Sequence, residues 1–327
     1  MAGLCALFGV SKQAYYQHND DAALAKASRE EFALQYAMRV REKDGGIGGE
    51  KMWEMYRREF ANDRPIVRDR FCNIIDANGL KLRRRTRRPR TTDSTHGLPV
   101  YPDMVRDFIP TGPNQLWVSD ITYITILNES ETSYSHCYLS MILDSYSKEI
   151  IGWKVGASLE TSNSISALKM AMKRIRGRNG LRPIHHSDRG CQYASSEYVR
   201  LLKANGIRIS MTETGDPKDN AQAERINNTM KNELLFGRRF HSLEQVTDAV
   251  SKAVNFYNNE RPHMSINMMT PVQAASCSGE INKRWRSRRE EAIKAKGEEY
   301  GNSGNCLHLH NCPGSPSGLR PSVNPGQ

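Results

Sequence analysis

At Gln115 the hydrophobic period of this 327-residue chain changes, and the change dictates what it can build. Through residue 78 apolar side chains recur at threes and fours; beyond Gln115, residues 116 to 127 read as a strand rich in β-branched and aromatic side chains. Residues 135 to 143 read likewise, Asp144-Ser145-Tyr146-Ser147 is a turn, and residues 150 to 155 make a third strand, so three strands meander antiparallel. Helical rhythm over 161 to 176, a short apolar strand over 183 to 186, a helix over 195 to 204 and a strand over 207 to 211 follow. That order predicts an α+β or α/β core around a mixed sheet.

The first eighty residues predict a small all-helical module. Ser11 is a plausible N-cap before Tyr15 and Tyr16, and Leu24, Phe32, Tyr36 and Val40 keep helical spacing until Asp44-Gly45-Gly46 stops them. Helices over 51 to 60 and 65 to 78 follow, the second opening on Pro65 and closing on Asn78-Gly79. Lys81, Arg83, Arg84, Arg85, Arg87, Arg88 and Arg90 then place seven positive charges in ten residues, at the head of a basic linker over 81 to 113. So dense a block is costly without phosphate partners, which makes these seven side chains DNA-binding candidates.

The core spans 114 to 275. Its last part opens a long helix at Asp216-Pro217-Lys218-Asp219-Asn220, with Asp219 as N-cap and Gln222 as its capping-box partner, and ends with a helix over 243 to 257. Residues 276 to 327 turn basic, then Gly-, Ser-, Pro- and Asn-rich after Tyr300; such a tail buries too little surface to offset its ordering entropy and is expected to be disordered. Cys306, His308, His310 and Cys312 would span about 20 Å in an extended chain, too far for one tetrahedral metal site.

Composition narrows the partner. With 38% apolar residues the chain can fill a real core, and its length suggests roughly two domains. Forty-seven Lys and Arg against 36 Asp and Glu leave +11 and a pI near 9.3, which favours a nucleic acid over a membrane or a small acidic metabolite. No run of 18 apolar residues occurs, and the mean hydropathy is −0.65, so a cytoplasmic protein, nucleoid-associated if bacterial, is expected. Seven scattered cysteines without a CxxC indicate reduced thiols.

Three acids stand out by position. Asp120 lies mid-strand among apolar neighbours, where a carboxylate is costly unless a cation or hydrogen bonds compensate it. Asp188 ends a strand, where an open sheet presents side chains to a ligand. Glu224 sits one turn into a helix whose Asn220, Asn227, Asn228 and Lys231 share its face, while Ala223, Met230 and Leu234 occupy another. Three converging acids repel unless a divalent metal neutralises them, and oxygen-only ligands favour Mg²⁺ or Mn²⁺ over zinc. Two such ions about 3.5 to 4 Å apart can activate an attacking oxygen and stabilise the departing one in phosphodiester transfer.

Trp117-Val118-Ser119-Asp120-Ile121-Thr122-Tyr123, then His185-His186-Ser187-Asp188-Arg189-Gly190-Cys191-Gln192-Tyr193, then Asp219-Asn220-Ala221-Gln222-Ala223-Glu224, with 35 residues between Asp188 and Glu224, resemble the DDE signature of the integrase catalytic core. Tyr257-Asn258-Asn259-Glu260-Arg261-Pro262-His263, Thr270-Pro271 and a helix-turn-helix-like segment from about 40 to 90 extend the match over roughly residues 1 to 275. More closely, the chain resembles the second-reading-frame transposases of the IS-three family of bacterial insertion sequences. The resemblance implies an α/β fold with a ribonuclease H-like core, a mixed five-stranded sheet with flanking helices, preceded by the helical DNA-binding module. It implies a DDE polynucleotidyl transferase with Asp120, Asp188 and Glu224 as catalytic metal ligands and two Mg²⁺ ions, for which Mn²⁺ substitutes. DNA contacts are assigned to Lys81, Arg83, Arg84, Arg85, Arg87, Arg88, Arg90, Asn220, Asn228 and Lys231. Expected partners are insertion-sequence ends and target DNA, a second copy of the chain on that DNA, and the upstream-frame product, with no membrane. A structure-selective nuclease would share the core but release cut products; a non-catalytic DNA-binding protein would use the helical module alone. The His/Cys zinc module of the retroviral branch has no counterpart before Asp120.

Asp144, in a turn, reads as structural. His185 and His186 read as packing or support for the site. Asn258 fits helix-end capping as well as a functional motif with Arg261 and His263.

Overall fold

The computed structural model describes residues 2–9, 11, 20–82, 97–177, 180–213, 220–285, 287–288 and 290–295. Strands β1 (Leu116–Leu127), β2 (Tyr134–Asp144) and β3 (Ile150–Gly156) form the expected antiparallel meander. Strands β4 (Ile184–Ser187) and β5 (Arg208–Met211) add on parallel to β1, giving the order β3-β2-β1-β4-β5. Both faces are covered, as a sheet with parallel strands requires. On one, Trp117, Ile142 and Ile151 pack with Ile165 and Leu168 of α5 (Thr161–Met172) and Tyr198 and Leu202 of α7 (Ser196–Ala204). On the other, Leu116, Val118, Ile124 and Met141 pack with Ala223 and Ile226 of α8 (Ala221–Thr229) and Val246 and Val250 of α9 (Leu243–Asn259). The mixed sheet is the one the residue pattern predicted, and its ribonuclease H-like arrangement is the one the family resemblance implied.

α5 stops at Met172 instead of running to 176, because its last amides turn to three-residue spacing: Lys173 donates to Met170 O, Arg174 to Ala171 O and Ile175 to Met172 O. It lies so close to β3 that a Cβ on Gly152 would overlap the Ala167 carbonyl oxygen. The four-residue α6 (Cys191–Ala194) follows β4, and α10 (Pro271–Ala274) closes the core with a capping box between Thr270 and Gln273.

Helices α1 (Ala2–Leu7), α2 (Asp20–Lys43), α3 (Gly49–Glu59) and α4 (Arg68–Ala77) precede the sheet. Aromatic contacts knit the last three: Tyr36 to Tyr56 at 5.4 Å and Phe32 to Phe60 at 5.0 Å between ring centres, both edge-on, and Tyr56 to Phe71, tilted, at 5.2 Å. α4 starts three residues later than Pro65 suggested, because Trp53 Nε1 donates to Ile66 O at 2.9 Å and holds the lead-in extended. Arg83 to Arg90, Ser11's expected cap partners and the tail after residue 295 lie outside the described residues.

Residues 1–285 form one compact unit and 286–327 a second, in which 290–295 are helical. Within the first, the apolar core runs unbroken from Ala33 to Tyr257. The Asp44-Gly45-Gly46 turn after α2 docks on the single π turn (Met230–Leu234) that continues α8: Gly46 donates to Glu233 O at 3.0 Å, and a Cβ on Gly46 would overlap the Glu233 Cα. Glycine is required there by the approach of two backbones. Among the described residues, no helix is long and apolar enough to cross a membrane, and Cys72, Cys137, Cys191 and Cys277 are free thiols.

Candidate active site

β1 and β4 pair in parallel through Leu116 with Ile184, Trp117 with His185 and Val118 with His186. Carried two residues past its last pair, this register would bring Asp120 level with Asp188, the residue that follows the end of β4. Both carboxylates are partly exposed. Asp120 Oδ1 accepts the Ile121 amide at 2.8 Å, and Asp188 Oδ1 accepts the Gly190 amide at 3.0 Å where the chain turns into α6. Tyr193, on α6, is within reach of both charges: burial, then Tyr198, then the negative charges of Asp120 and Asp188 hold its phenol well above the ordinary value. Its hydroxyl accepts from Ser119 Oγ at 3.0 Å.

The third acid comes from α8. Asn227 Nδ2 donates to Asp120 Oδ2 at 2.8 Å, and Asn220 Nδ2 donates to Ser119 O at 3.0 Å, so two amides clamp this helix across β1. Glu224 is three residues before Asn227 and shares its face, half-buried, one turn from the side chain that touches Asp120. Among the described residues, no three His, Cys, Asp or Glu side chains stand together as a ready metal cage. Continued past its last pair, the register leads to the two aspartates, and the helix turns Glu224's face to the same strand.

Asp219 lies outside the described residues, and Asn220, not Asp219, occupies the position before the first helical residue. The expected capping box of Gln222 with Asp219 therefore falls outside the described residues; Gln222 Oε1 accepts from Ser145 Oγ at 3.0 Å and Lys148 Nζ at 2.8 Å in the β2–β3 turn. Of the DNA-binding candidates, Asn220 is buried, Asn228 is exposed, and Lys231 Nζ stands 3.7 Å above the Tyr123 ring. Lys81 pairs with Asp76 at 2.6 Å.

The histidines support the sheet. His185 Nε2 meets the Tyr198 hydroxyl at 2.9 Å, and burial lowers its pKa to about 3, so it is neutral. His186 Nδ1 meets Ser210 Oγ at 2.9 Å. Asp144 is structural, accepting the Asn114 amide at 2.9 Å and both the amide and hydroxyl of Ser147. Asn258 does not cap its helix end: Oδ1 accepts the Ile150 amide at 3.0 Å and Nδ2 donates to Ile150 O at 2.9 Å, tying α9 to the edge strand. Arg261 is buried between Asp44 and Glu233, and burial together with Arg261 drives His263 well below the usual imidazole range. Tyr193 was the residue sequence reasoning passed over; its position five residues after Asp188, within a short helix capping the strand end, was the available signal.

A mixed sheet with Asp120 on its central strand, Asp188 just past the end of the neighbouring strand and a polar helix clamped across the first is the setting in which the family comparisons place a polynucleotidyl-transferase-type enzyme. The integrase core domain family matches residues 110–217 and 205–271. The 31 kDa protein of insertion element IS600 from Shigella sonnei is 32% identical over 276 residues, 82% of this chain and 96% of its own. The transposase of insertion sequence element IS629, also from Shigella sonnei, is 30% identical over 83% of this chain and 90% of its own. The HTLV-2 integrase catalytic core domain in complex with magnesium aligns over 51% of this chain and 99% of its own, at 20% identity and a TM-score of 0.39. The chain belongs to the IS-three family of insertion-sequence transposases, built on an integrase core.

Proposed function

We propose that this transposase cuts and joins DNA by DDE chemistry, with Asp120, Asp188 and Glu224 as the residues that hold two Mg²⁺ ions, for which Mn²⁺ substitutes. The observation that supports the reading is the register of β1 on β4, which, continued two residues past its last pair, leads to Asp120 and Asp188 beside the helix bearing Glu224. The donor set fits a hard cation: three carboxylates with the amide oxygens of Asn220 and Asn227 beside them, all oxygen. Divalent cations bound there would supply Lewis-acid neutralisation of the phosphate and favour ionisation of the attacking oxygen.

The residues of the chain do the positioning. Asn227 and the Ile121 amide fix the Asp120 carboxylate by its two oxygens, and the Gly190 amide orients Asp188. In the first step water attacks an element-end phosphodiester and a 3′-OH leaves; in the second, that 3′-OH attacks a phosphodiester of target DNA and another 3′-OH leaves. One phosphodiester replaces another in the second step, so no nucleotide triphosphate is consumed. Lys231 and Asn228, on the helix of Glu224, and the basic run Lys81, Arg83, Arg84, Arg85, Arg87, Arg88 and Arg90 would bind DNA phosphates. The division into a helical DNA-binding module over 1–80, a basic linker over 81–113 and a core over 114–275 belongs to the same reading, as do assembly of copies on DNA and action beside the upstream-frame product in the bacterial nucleoid.

The test is strand transfer with a labelled element-end duplex and Mg²⁺. Asp120→Asn, Asp188→Asn and Glu224→Gln are each expected to bind the duplex and yield no joined product. Near-normal joining by any one variant removes that residue from the site, and cut but unjoined product from the unaltered protein favours the nuclease.

A further inference from the structure

Two amides beside Asp120 are only half satisfied. Asn220 and Asn227 are each 8% exposed, and each is held through its Nδ2, to the Ser119 carbonyl and the Asp120 carboxylate respectively. A carbonyl and a carboxylate can only accept, so both amides must turn their NH₂ groups to β1, and this settles where their oxygens lie. Both oxygens are buried without a partner. Buried acceptors are ordinarily paired, and two orphans, one on the amide that holds the Asp120 carboxylate and one on the amide that holds the carbonyl of the residue before it, mark a place short of donors.

We propose that Asn220 Oδ1 and Asn227 Oδ1 accept hydrogen bonds from the waters of a divalent cation held beside Asp120. The inference rests on the reading of Asp120 as a cation ligand. Mg²⁺ gives up water reluctantly and keeps several bound waters in a protein site. Water on a dication is a strong donor and needs acceptors, and around Asp120 the two amide oxygens are such acceptors. Asn227 thus has two jobs through two atoms: Nδ2 aims the carboxylate and Oδ1 receives the hydrated ion. Asn220 does the second while its Nδ2 fastens the start of α8 to β1.

The experiment is Mn²⁺ binding to the full chain without DNA, read by electron paramagnetic resonance of the free ion, with Mg²⁺-dependent melting as a second readout. Asn227→Ala is expected to weaken Mn²⁺ about 10- to 100-fold, the range for groups that support metal ligands. Asn227→Asp keeps the oxygen and loses the donor, so it is expected to hold Mn²⁺ at least as tightly as the unaltered chain. Equal weakening by both would mean that only the NH₂ group on Asp120 matters, and would overturn the proposal. No change in either would overturn it too, assigning the orphan oxygens to another donor such as DNA. Asn220→Ala and Asn220→Asp provide the same comparison away from the Asp120 carboxylate if the first pair does not fold. Asp120→Asn is run alongside: unaltered Mn²⁺ affinity in that variant defeats the catalytic reading itself, separately from the outcome at the asparagines.

Discussion

Arg261 Nε donates to Asp44 Oδ2 at 3.2 Å, with the two side chains 2% and 0% exposed, and so joins the segment just past α9 to the turn after α2. The same guanidinium donates to Glu233 in the π turn beyond Glu224, and Lys51 Nζ lies 3.7 Å from that carboxylate. Two cations and two anions thus cancel where the helical segment, the continuation of α8 and the C-terminal motif meet. Burial raises the Asp44 pKa against the pull of Arg261, and burial followed by Arg261 lowers that of Lys51 to about 8.

Breaking a buried ion pair from one side leaves an uncompensated charge. Arg261→Met is therefore expected to cost about 3–5 kcal/mol of stability, measured by urea unfolding. Asp44→Asn in the Arg261→Met background should recover part of the loss, because it removes the stranded carboxylate. A cost below about 1 kcal/mol for Arg261→Met would show that the cluster does not hold the segments together.

The catalytic substitutions should not add. If Asp120, Asp188 and Glu224 act as one unit, Asp120→Asn combined with Glu224→Gln lowers the strand-transfer rate no further than the worse single variant. Multiplying losses in the double variant would mean that the two carboxylates act independently.

His185 makes the fold sensitive to acid. The unfolded chain takes up a proton there below about pH 6.5, whereas the folded protein resists until about 3. The unfolded state therefore binds more protons across that window, and stability falls as pH drops from 6.5 toward 3. His185→Gln should remove this part of the acid loss, so its stability relative to the unaltered protein should improve between pH 7 and pH 5 in parallel urea titrations. A pH-independent difference would contradict a buried neutral imidazole.

Neutralising four of the seven charges among Lys81, Arg83, Arg84, Arg85, Arg87, Arg88 and Arg90 should flatten the dependence of log affinity on log salt by up to about 0.9 for each DNA phosphate that is no longer neutralised. Sequence preference should change less than affinity. An unaltered slope in a binding titration from low to moderate salt would mean that this run is only solvated.

The sequence by itself determined the strands and the sheet's antiparallel half, because alternation is a local signal, and it singled out Asp120 as a candidate, since an acid amid Trp117, Val118 and Ile121 has no capping role to explain it. Helix ends were less legible. Pro65 announces a start that the Trp53 bond to Ile66 delays, and Gln222 sits at capping-box spacing yet serves Ser145 and Lys148. Only the tertiary structure decided that the register of β1 on β4 leads to Asp120 and Asp188, since parallel pairing joins residues far apart in the chain. It also decided the motif around Arg261: Asn258 holds the Ile150 backbone, and Arg261 serves Asp44 and Glu233, partners 217 and 28 residues away. No periodicity records such a pairing. A buried charge selects its partner by position in the folded core, where desolvation makes an unpaired charge costly, whereas amphipathic spacing records only which side of an element faces inward.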